Sequence, residues 1–310
     1  MAMQSPVMVV GEALIDIVIP PSGPSVEHVG GSPANVAIGL SRLGHRTSLA
    51  THIGTDPRGR RIADLMATEQ VTLTPGSTDA ARTPTAAAHL DDAGVATYEF
   101  DLEWDLDVAK VVVPPGGHLH TGSIAATLSP GGAAVLQIVT AARPHATVSY
   151  DPNARSTLMG SPEEARPVIE RLIALADVVK ASEEDVRWLY GTAPLTHVLA
   201  AWAAMGPSIC AVTQGGSEVV VLAAGIIEHF PTLPTTVVDT VGAGDSFMSG
   251  LISGLVDAGL LGDAAARERL RVAQWPAIRA AVDRALACAA ITVSRSGSNP
   301  PLHSELDIVV

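Results

Sequence analysis

One segment constrains the fold of this chain more than any other: Val237-Val238-Asp239-Thr240-Val241-Gly242-Ala243-Gly244-Asp245-Ser246-Phe247. Its β-branched start predicts a strand that ends at Val238. Apolar residues then recur at helical spacing as far as Val256, which predicts an amphipathic helix. Gly242 and Gly244 therefore fall in the turn that opens the helix.

The opening turn of that helix has the properties of an anion site. Glycine lets a ligand approach the backbone closely, and the first amides of a helix have no intrahelical acceptor. The aligned peptide dipoles add about half a positive charge at the helix N-terminus. Asp245 lies in the same turn. A carboxylate beside an anion hole suits a base that takes the proton from a group attacking a phosphoryl centre.

Two other interpretations of this turn remain open. It can be an ordinary helix start with an acidic residue in its first turn. It can also be a dinucleotide site, because that site uses a strand, Gly-x-Gly and a helix as well. The dinucleotide interpretation fits less well, since Phe247 stands at the position of the third glycine and Asp245 would repel a resident pyrophosphate.

The composition excludes some classes of function. The chain has 310 residues, enough for one large domain or two small ones. Hydrophobic residues make up 47% but aromatic residues only 3%, so the core must consist of Ala, Val, Leu and Ile. The net charge is −13 and the only lysines are Lys110 and Lys180, so the sequence lacks the basic face of a nucleic-acid-binding protein.

The sequence also predicts the cellular compartment. Cys210 and Cys288 both lie in apolar segments and are expected to be buried thiols rather than a disulfide. No stretch reaches the roughly 18 uninterrupted apolar residues of a membrane span, and the N-terminus lacks the basic start of a signal peptide. We therefore expect a cytoplasmic protein that binds neither membranes nor nucleic acids.

Strands and helices alternate through most of the chain. After Pro114-Pro115, apolar strands alternate with helical segments, which predicts a mostly parallel sheet covered on both faces. Before that point, residues 83–90 and 95–100 are expected to form a hairpin across Asp91-Asp92-Ala93-Gly94. Together with residues 12–29, this hairpin would make a small sheet outside the main domain.

A second glycine-containing motif, Gly30-Gly31-Ser32-Pro33-Ala34-Asn35-Val36-Ala37, opens an early helix. Ser32 is expected to cap this helix, Pro33 suits its first position, and Gly44 suits its C-terminal stop. Asn35 lies in the first turn, off the apolar face. Its amide can donate to and accept from a pair of sugar hydroxyls, although a capping or surface role is an alternative.

Other kinds of site receive little support. His118 and His120 share one face of a strand and could bind a metal, but without a third ligand at fixed spacing they are better explained as core or edge residues. The P-loop motif is absent, since neither lysine has the required context, and so is the Gly-x-Ser-x-Gly motif of hydrolases.

The two glycine motifs, in this order and separation, resemble the two signatures of the ribokinase-type (PfkB) carbohydrate kinases. The resemblance extends from Gly11-Glu12 to Asn299-Pro300-Pro301. It implies one ribokinase-like domain over residues 1–310, an α/β/α three-layer fold with a mostly parallel central sheet. It also implies a small β lid from about residues 12–29 and 83–107, ATP as phosphate donor, and a primary alcohol of a sugar-like substrate as acceptor. The starting Gly-Glu-x-Leu-Ile-Asp, Asp151-Pro152-Asn153-Ala154-Arg155 and the final Asn-Pro-Pro are most similar to bacterial fructokinases.

The resemblance also implies a role for individual residues. Asp245 matches the catalytic base, and its anion hole matches Gly242, Ala243 and Gly244. The expected sugar contacts are Asp16, Gly31 and Asn35. Asn153 and Arg155 match a segment near the transferred phosphate. The expected nucleotide contacts are Thr213, Gly215 and, in the loop over the adenine, Asn299.

Ion sites follow from the same resemblance, with two departures from the family pattern. Ser182-Glu183-Glu184-Asp185 stands where the family often carries Asn-x-x-Glu to organise Mg²⁺, and Asp185 reaches about one methylene less far. Glu218 replaces a glycine of the nucleotide loop. Many members also bind a monovalent cation such as K⁺, here expected at backbone carbonyls near Asp239, Val241 and residues 294–298. Lids of this family often pair into homodimers.

The sequence thus predicts an ATP-dependent sugar kinase that converts fructose to fructose 6-phosphate. A 2-keto-3-deoxygluconate kinase would need an extra cation near Asp16, for which Arg82 is the candidate. A nucleoside kinase would need an aromatic stacking wall. A non-catalytic sugar-binding member would not need Asp245, the glycines or Arg155.

Overall fold

A computed structural model describes residues 5–91 and 96–306. In chain order its strands are β1 (Val7–Val10), β2 (Leu14–Ile19), β3 (Val26–Gly30), β4 (Thr47–Ala50), β5 (Thr72–Leu73), β6 (Thr85–Leu90), β7 (Ala96–Asp101), β8 (His118–Gly122), β9 (Thr147–Asp151), β10 (Val178–Ser182), β11 (Ile209–Gln214), β12 (Glu218–Ala223) and β13 (Ile226–Pro231). Its helices are α1 (Ser32–Arg42), α2 (Pro57–Thr68), α3 (Gly131–Ala142), α4 (Ser156–Met159), α5 (Pro162–Leu175), α6 (Glu183–Tyr190), α7 (Leu195–Met205), α8 (Ala243–Asp257), α9 (Ala264–Arg271), α10 (Trp275–Val293) and α11 (His303–Leu306).

The central sheet has nine strands in the order β13-β12-β11-β10-β9-β8-β1-β4-β5. All pairings from β11 to β5 are parallel, while β12 and β13 run antiparallel at one edge. One apolar core contains buried side chains of α1, α2, α8 and α10, and the other contains those of α3, α5, α6 and α7. The predicted three-layer α/β/α fold with a mostly parallel sheet is confirmed.

A separate four-stranded sheet has the order β3-β2-β6-β7. Strand β2 pairs antiparallel with β3 and parallel with β6, and β6 pairs antiparallel with β7. The hairpin expected between β6 and β7 is therefore present, but residues 92–94 of its predicted turn lie outside the described residues. This sheet comes from residues 14–30 and 85–101, close to the two segments expected to form a lid.

The start of α1 differs from the prediction. The helix is capped by Gly31, whose φ is 105°, and Ser32 makes no capping hydrogen bond. The expectation that Ser32 caps this helix is wrong because its hydroxyl is used elsewhere, as described below. Gly44 has a φ of 92° and follows the last turn, as its expected role as a stop requires.

The segment before α8 also differs. Gly242 caps the helix with a φ of 76°, a left-handed conformation suited to glycine, and α8 begins at Ala243 as predicted. The strand expected to end at Val238 is wrong. The N–H groups of Val238 and Asp239 both donate to the Val293 carbonyl at the end of α10. The side chains of Val237 and Val238 are exposed. The β-branched run is thus an irregular connection held by a helix end.

The two cysteines and the two histidines of β8 agree with the sequence. Cys210 and Cys288 are buried free thiols, and burial raises the pKa of each to about 12. His118 and His120 are buried and hydrogen-bond to Thr147 and Ser149. Within the two described ranges, no three His, Cys, Asp or Glu side chains are grouped so that they could hold a metal, and no helix is long and apolar enough to cross a membrane.

Candidate active site

The carboxyl ends of the parallel strands gather the candidate residues at one edge of the central sheet. Asp151 ends β9, Ser182 ends β10, and Thr213 lies one residue from the end of β11. Ligands of open α/β sheets bind outside this edge, because the loops that leave it are free of the sheet's hydrogen bonds. The first turn of α8 reaches the same edge beside Lys180 of β10.

Asp245 lies where the N-terminal turns of α1 and α8 meet. Its side chain is buried, with 9% of the residue surface exposed. Ser32 Oγ donates to its Oδ1 at 2.6 Å, and Asn35 Nδ2 donates to its Oδ2 at 2.8 Å. Two helix N-termini therefore face one carboxylate, and their dipoles favour its negative charge.

The glycines before α1 make this approach possible. A Cβ on Gly31 would lie 2.5 Å from the Glu12 carbonyl oxygen, and the φ of 105° disfavours any side chain there. A Cβ on Gly30 would collide with the Asp16 carboxylate. Gly30 and Gly31 thus let β3 turn into α1 while Asp16 lies directly over the bend.

The amides at the start of α8, where the sequence predicts an anion hole, differ in their hydrogen bonding. The Ala243 N–H donates to the Thr240 carbonyl at 3.2 Å. The amides of Gly244 and Asp245 follow it in the first turn, where a helix supplies no acceptor. A Cβ on Gly242 would collide with the Ser298 hydroxyl, so this glycine also lets the loop of residues 294–298 approach α8.

A buried ion pair lies below that turn. Lys180 Nζ donates to Asp151 Oδ2 at 2.9 Å, and both side chains are at most 5% exposed. Burial works to lower the pKa of Lys180, but Asp151, Asp185 and Asp245 together raise it above its ordinary value. Burial raises the pKa of Asp151 to about 6, and Lys180 opposes that rise.

Sequence reasoning missed three members of this site: Lys180, Asp151 as its partner, and the Ser32 hydroxyl. A lysine within the apolar run of β10 was a usable signal, because a buried ammonium needs a carboxylate partner. No signal in the sequence distinguishes the Ser32 hydroxyl from a helix cap, since both roles suit serine at that position.

Arg155 and Asn153 lie on the loop after β9. Asn153 has a φ of 37°, and its N–H donates to Asp151 Oδ1 at 3.2 Å. Arg155 Nη1 donates to Asn153 Oδ1 at 2.8 Å, and the arginine side chain is exposed. This guanidinium also acts electrostatically on Asp16 and Glu12.

Asp16 lies on β2 of the smaller sheet, with its carboxylate next to Gly30. Its residue surface is largely open to solvent, yet protein surrounds the carboxylate closely enough that lost hydration raises its pKa. Arg155 and His28 oppose that rise. Glu12, next to β1, is fully buried, and burial raises its pKa to about 7 while Ser123, the Ala125 N–H and Arg155 work in the other direction.

Comparisons with known proteins show the family of this chain. A sequence profile described as "pfkB family carbohydrate kinase" matches residues 4–305. The chain belongs to this family. Fructokinase of Klebsiella pneumoniae is 36% identical over 266 residues, which cover 83% of this chain and 87% of that protein.

Solved structures of the family superpose over nearly the whole chain. Fructokinase from Vibrio cholerae O395, with fructose, ADP and a calcium ion bound, has a TM-score of 0.84 at 28% identity and covers 98% of each chain. A double mutant of that protein, with fructose, ADP and a potassium ion bound, has a TM-score of 0.82 at 26% identity and covers 99% of each chain.

Asp185, the residue expected to organise Mg²⁺ in this pfkB kinase, accepts hydrogen bonds from two backbone N–H groups. It forms a capping box with Ser182 at the start of α6, in which its Oδ2 accepts from the Ser182 N–H at 2.8 Å. Its Oδ1 accepts from the Ala154 N–H at 2.7 Å. Asp185 therefore ties α6 to the loop that carries Arg155.

The residues expected to meet the nucleotide lie at the end of β11 and in the loop after α10. Thr213 Oγ1 donates weakly to the Ala181 carbonyl at 3.4 Å, and Gly215 turns the chain with a φ of 55°. Asn299 Oδ1 accepts from Arg42 Nη1 at 2.6 Å. Arg42 also pairs bidentately with Glu69, so the Asn299 loop is fastened to the far end of α1.

Asp239 connects the two segments expected to bind a monovalent cation. Its Oδ1 accepts from the Val241 N–H at 3.0 Å, and its Oδ2 accepts from the Gly297 N–H at 2.8 Å. These hydrogen bonds lower the pKa of Asp239. Val241 is 56% exposed, and its carbonyl lies in the loop that leads into α8.

Proposed function

We propose that this pfkB kinase transfers the γ-phosphoryl group of ATP to the 6-hydroxyl of fructose. One observation carries the proposal: the Asp245 carboxylate is held by Ser32 and Asn35 at the meeting point of two helix N-termini. A base and an anion site thus lie within one helical turn. The fructokinases among its relatives supply the identity of the sugar.

The reaction follows from this arrangement. Asp245 accepts the proton of the 6-hydroxyl while the oxygen attacks the γ-phosphorus, the bond to the β-phosphate oxygen breaks, and ADP leaves. The first-turn amides of Gly242, Ala243 and Gly244 and the guanidinium of Arg155 stabilise the charge on the phosphoryl oxygens. The Gly244 N–H is more available to a phosphoryl oxygen than the Ala243 N–H, because the Ala243 N–H already donates to the Thr240 carbonyl.

The sugar hydroxyls are bound by Asp16, Gly31, Asn35 and Asn153. Short polar groups that donate and accept suit an uncharged sugar with several hydroxyls. Asn35 also donates to Asp245, so it aligns the base with the sugar that it helps to bind. A site of this kind rejects analogues without the hydroxyls, because its own polar groups would lose their partners.

ATP is bound by Thr213, Gly215 and the Asn299 loop, with Mg²⁺ on its phosphates. The described side chains form no metal cage of their own, which fits an ion held by substrate phosphates, water and one or two carboxylates. Asp185 is the protein's contribution, through water. An Mg²⁺ ion held in this way would neutralise charge on the phosphoryl oxygens.

Backbone carbonyls near Asp239, Val241 and residues 294–298 would hold a K⁺ ion. The support is the Asp239 carboxylate, which holds the two segments together through the Val241 and Gly297 amides. An ion there would stiffen the loop that leads to Gly242, and hence the anion hole.

Residues 1–310 form one kinase domain, with the sheet of β2, β3, β6 and β7 as its lid. Lid closure keeps water away from the phosphoryl group, which prevents hydrolysis of ATP without an acceptor. The lids of two copies pair into a homodimer. Two buried free thiols suit a reducing compartment, and we place the enzyme in the cytoplasm.

A specific contact favours fructose over an acidic sugar. Arg82, the cation expected for 2-keto-3-deoxygluconate, pairs with Asp101 at 2.6 Å. Its charge is thus already offset within the lid. An acidic acceptor would have to compete with that carboxylate.

An acceptor panel tests the assignment. Purified protein with ATP, Mg²⁺ and K⁺ is offered fructose, 2-keto-3-deoxygluconate, ribose and adenosine, and ADP formation is followed by a coupled assay. We expect kcat/KM to be highest for fructose. A higher value for the keto acid or the nucleoside would overturn the fructose assignment.

A further inference from the structure

Lys180 is an unusual residue for this protein. It is one of only two lysines in 310 residues, and it is 4% exposed near the end of the central strand β10. Lys110, the other lysine, lies on the surface beside Asp79. An ammonium group is costly to bury, so its position calls for a reason beyond solubility.

Lys180 is surrounded by more negative charge than it needs for burial. Asp151 accepts its hydrogen bond directly, while Asp185 and Asp245 act on it from α6 and α8. His120 faces it from β8, and burial together with Lys180 lowers the pKa of that histidine to about 3, so the imidazole is neutral. One cation therefore offsets three carboxylates at the edge of the sheet.

Gly244 gives Lys180 access to the first turn of α8. A Cβ on this glycine would lie 2.8 Å from Lys180 Nζ, closer than carbon and nitrogen can pack. A side chain at the second glycine of the motif would thus force the Lys180 ammonium to shift from its place beside the turn.

Stability alone does not account for the pair. Replacing a buried ion pair by uncharged residues of similar size is often neutral or stabilising, because both charges lose their hydration on burial. The Lys180–Asp151 pair lies next to the proposed anion site, where its effect is electrostatic. Without the ammonium, three carboxylates would oppose the approach of ATP phosphates.

We propose that Lys180, held in place by Asp151, is a positioning residue that supports the first turn of α8 from below during phosphoryl transfer. It acts through the Gly244 and Asp245 backbone and by offsetting the nearby carboxylates. This role rests on the phosphoryl transfer proposed above and adds to it a residue outside the two sequence motifs.

The test removes both charges and keeps the packing. The double variant Lys180→Met/Asp151→Asn has an uncharged side chain of similar size at each position, and Lys110→Met is the matched control for losing a lysine. We expect the double variant to unfold at nearly the wild-type temperature. Its kcat should fall on the order of 10²-fold, as after loss of an active-site donor, while KM for the acceptor stays within about twofold.

A mutant cycle tests the contact itself. Gly244→Ala should lower kcat severalfold in the wild type and much less in Lys180→Met, because the methionine has no ammonium to displace. Fold reductions that multiply in the double variant would contradict the contact.

Activity is read on whichever acceptor in the panel gives the fastest ADP formation and is expressed per folded molecule, measured by circular dichroism. Failure of the fructose assignment would therefore leave this test intact. A Lys180→Met/Asp151→Asn variant with wild-type kcat per folded molecule would overturn the proposal, and so would a loss of kcat equal to that in Lys110→Met.

Discussion

Asp245 uses its two carboxylate oxygens for different partners, and that difference decides what a substitution would do. Oδ1 accepts from a hydroxyl that can also act as an acceptor, while Oδ2 accepts from the amide of Asn35. An asparagine can keep both contacts by turning its own NH₂ toward Ser32. The structure around this position therefore tolerates loss of the charge.

Asp245→Asn should leave the fold intact and remove the base. We expect kcat to fall by about 10²–10⁴, the usual contribution of a positioned base, with KM for ATP nearly unchanged. Asp263→Asn is the control, because Asp263 also accepts from a helix N-terminus, that of α9. Near-wild-type activity in the Asp245 variant would remove this residue from the mechanism.

Glu12 predicts a pH dependence of stability. Burial raises its pKa from 4.5 to about 7, so the folded chain binds its proton more tightly than the unfolded chain. Its contribution to the free energy of unfolding is therefore complete below pH 4.5 and is lost as the pH rises through about 7. Relative to Glu12→Gln, the wild type should lose up to about 3 kcal/mol across that window.

Urea unfolding of both proteins between pH 4.5 and 8 measures this difference, with exposed Glu184→Gln as the control. A wild-type minus Glu12→Gln difference that stays constant with pH would contradict the shifted pKa of Glu12.

Single residues also mark the limit of prediction from the sequence. Asp245 and the turn that presents it follow from local rules, because glycine conformations and helix starts depend on neighbouring residues. The Ser32 hydroxyl bonds a residue 213 positions away, and Lys180 pairs with a carboxylate on a neighbouring strand. Such long-range contacts depend on strand order, which local patterns leave undetermined.

At the scale of elements, the helix and strand periodicities predict most of the fold. The apolar pattern predicts a helix from Gly131 to Ala142, and α3 has these bounds. The alternating pattern after residue 115 becomes the parallel sheet. The pattern failed at Val238, where β-branched residues usually indicate a strand. There, the Val293 carbonyl at the end of α10 takes the amides that a neighbouring strand would otherwise use.

The loop before α8 carries a prediction about ions. Asp239→Ala removes the hydrogen bonds to the Val241 and Gly297 amides, each worth about 1 kcal/mol, and so frees the two segments from each other. The K⁺ concentration for half-maximal rate should rise roughly tenfold. This factor corresponds to a loss of about 1.4 kcal/mol, which is most of what the two hydrogen bonds contribute together. Rates are measured in KCl and in tetramethylammonium chloride at equal ionic strength. Equal rates of the wild type in both salts would contradict a K⁺ site.

At the scale of the whole molecule, both sheets contribute residues to the candidate site. The central sheet supplies Asp151 and Lys180, α8 supplies Asp245, and the smaller sheet supplies Asp16. The residues that we propose for the sugar and for the nucleotide thus come from segments that are far apart in the chain. Helix α1 connects them, since Asn35 lies at its start and Arg42, which holds Asn299, lies at its end.

The position of the phosphate on the product is the most direct test of phosphoryl transfer to the 6-hydroxyl of fructose. Wild-type protein is incubated with fructose, Mg²⁺, K⁺ and ATP, and the product is identified by ³¹P and ¹³C NMR. We expect one ADP released for each fructose 6-phosphate formed, with formation abolished or nearly so in Asp245→Asn. Fructose left unmodified under these conditions, or a product phosphorylated on another carbon, would contradict this expectation.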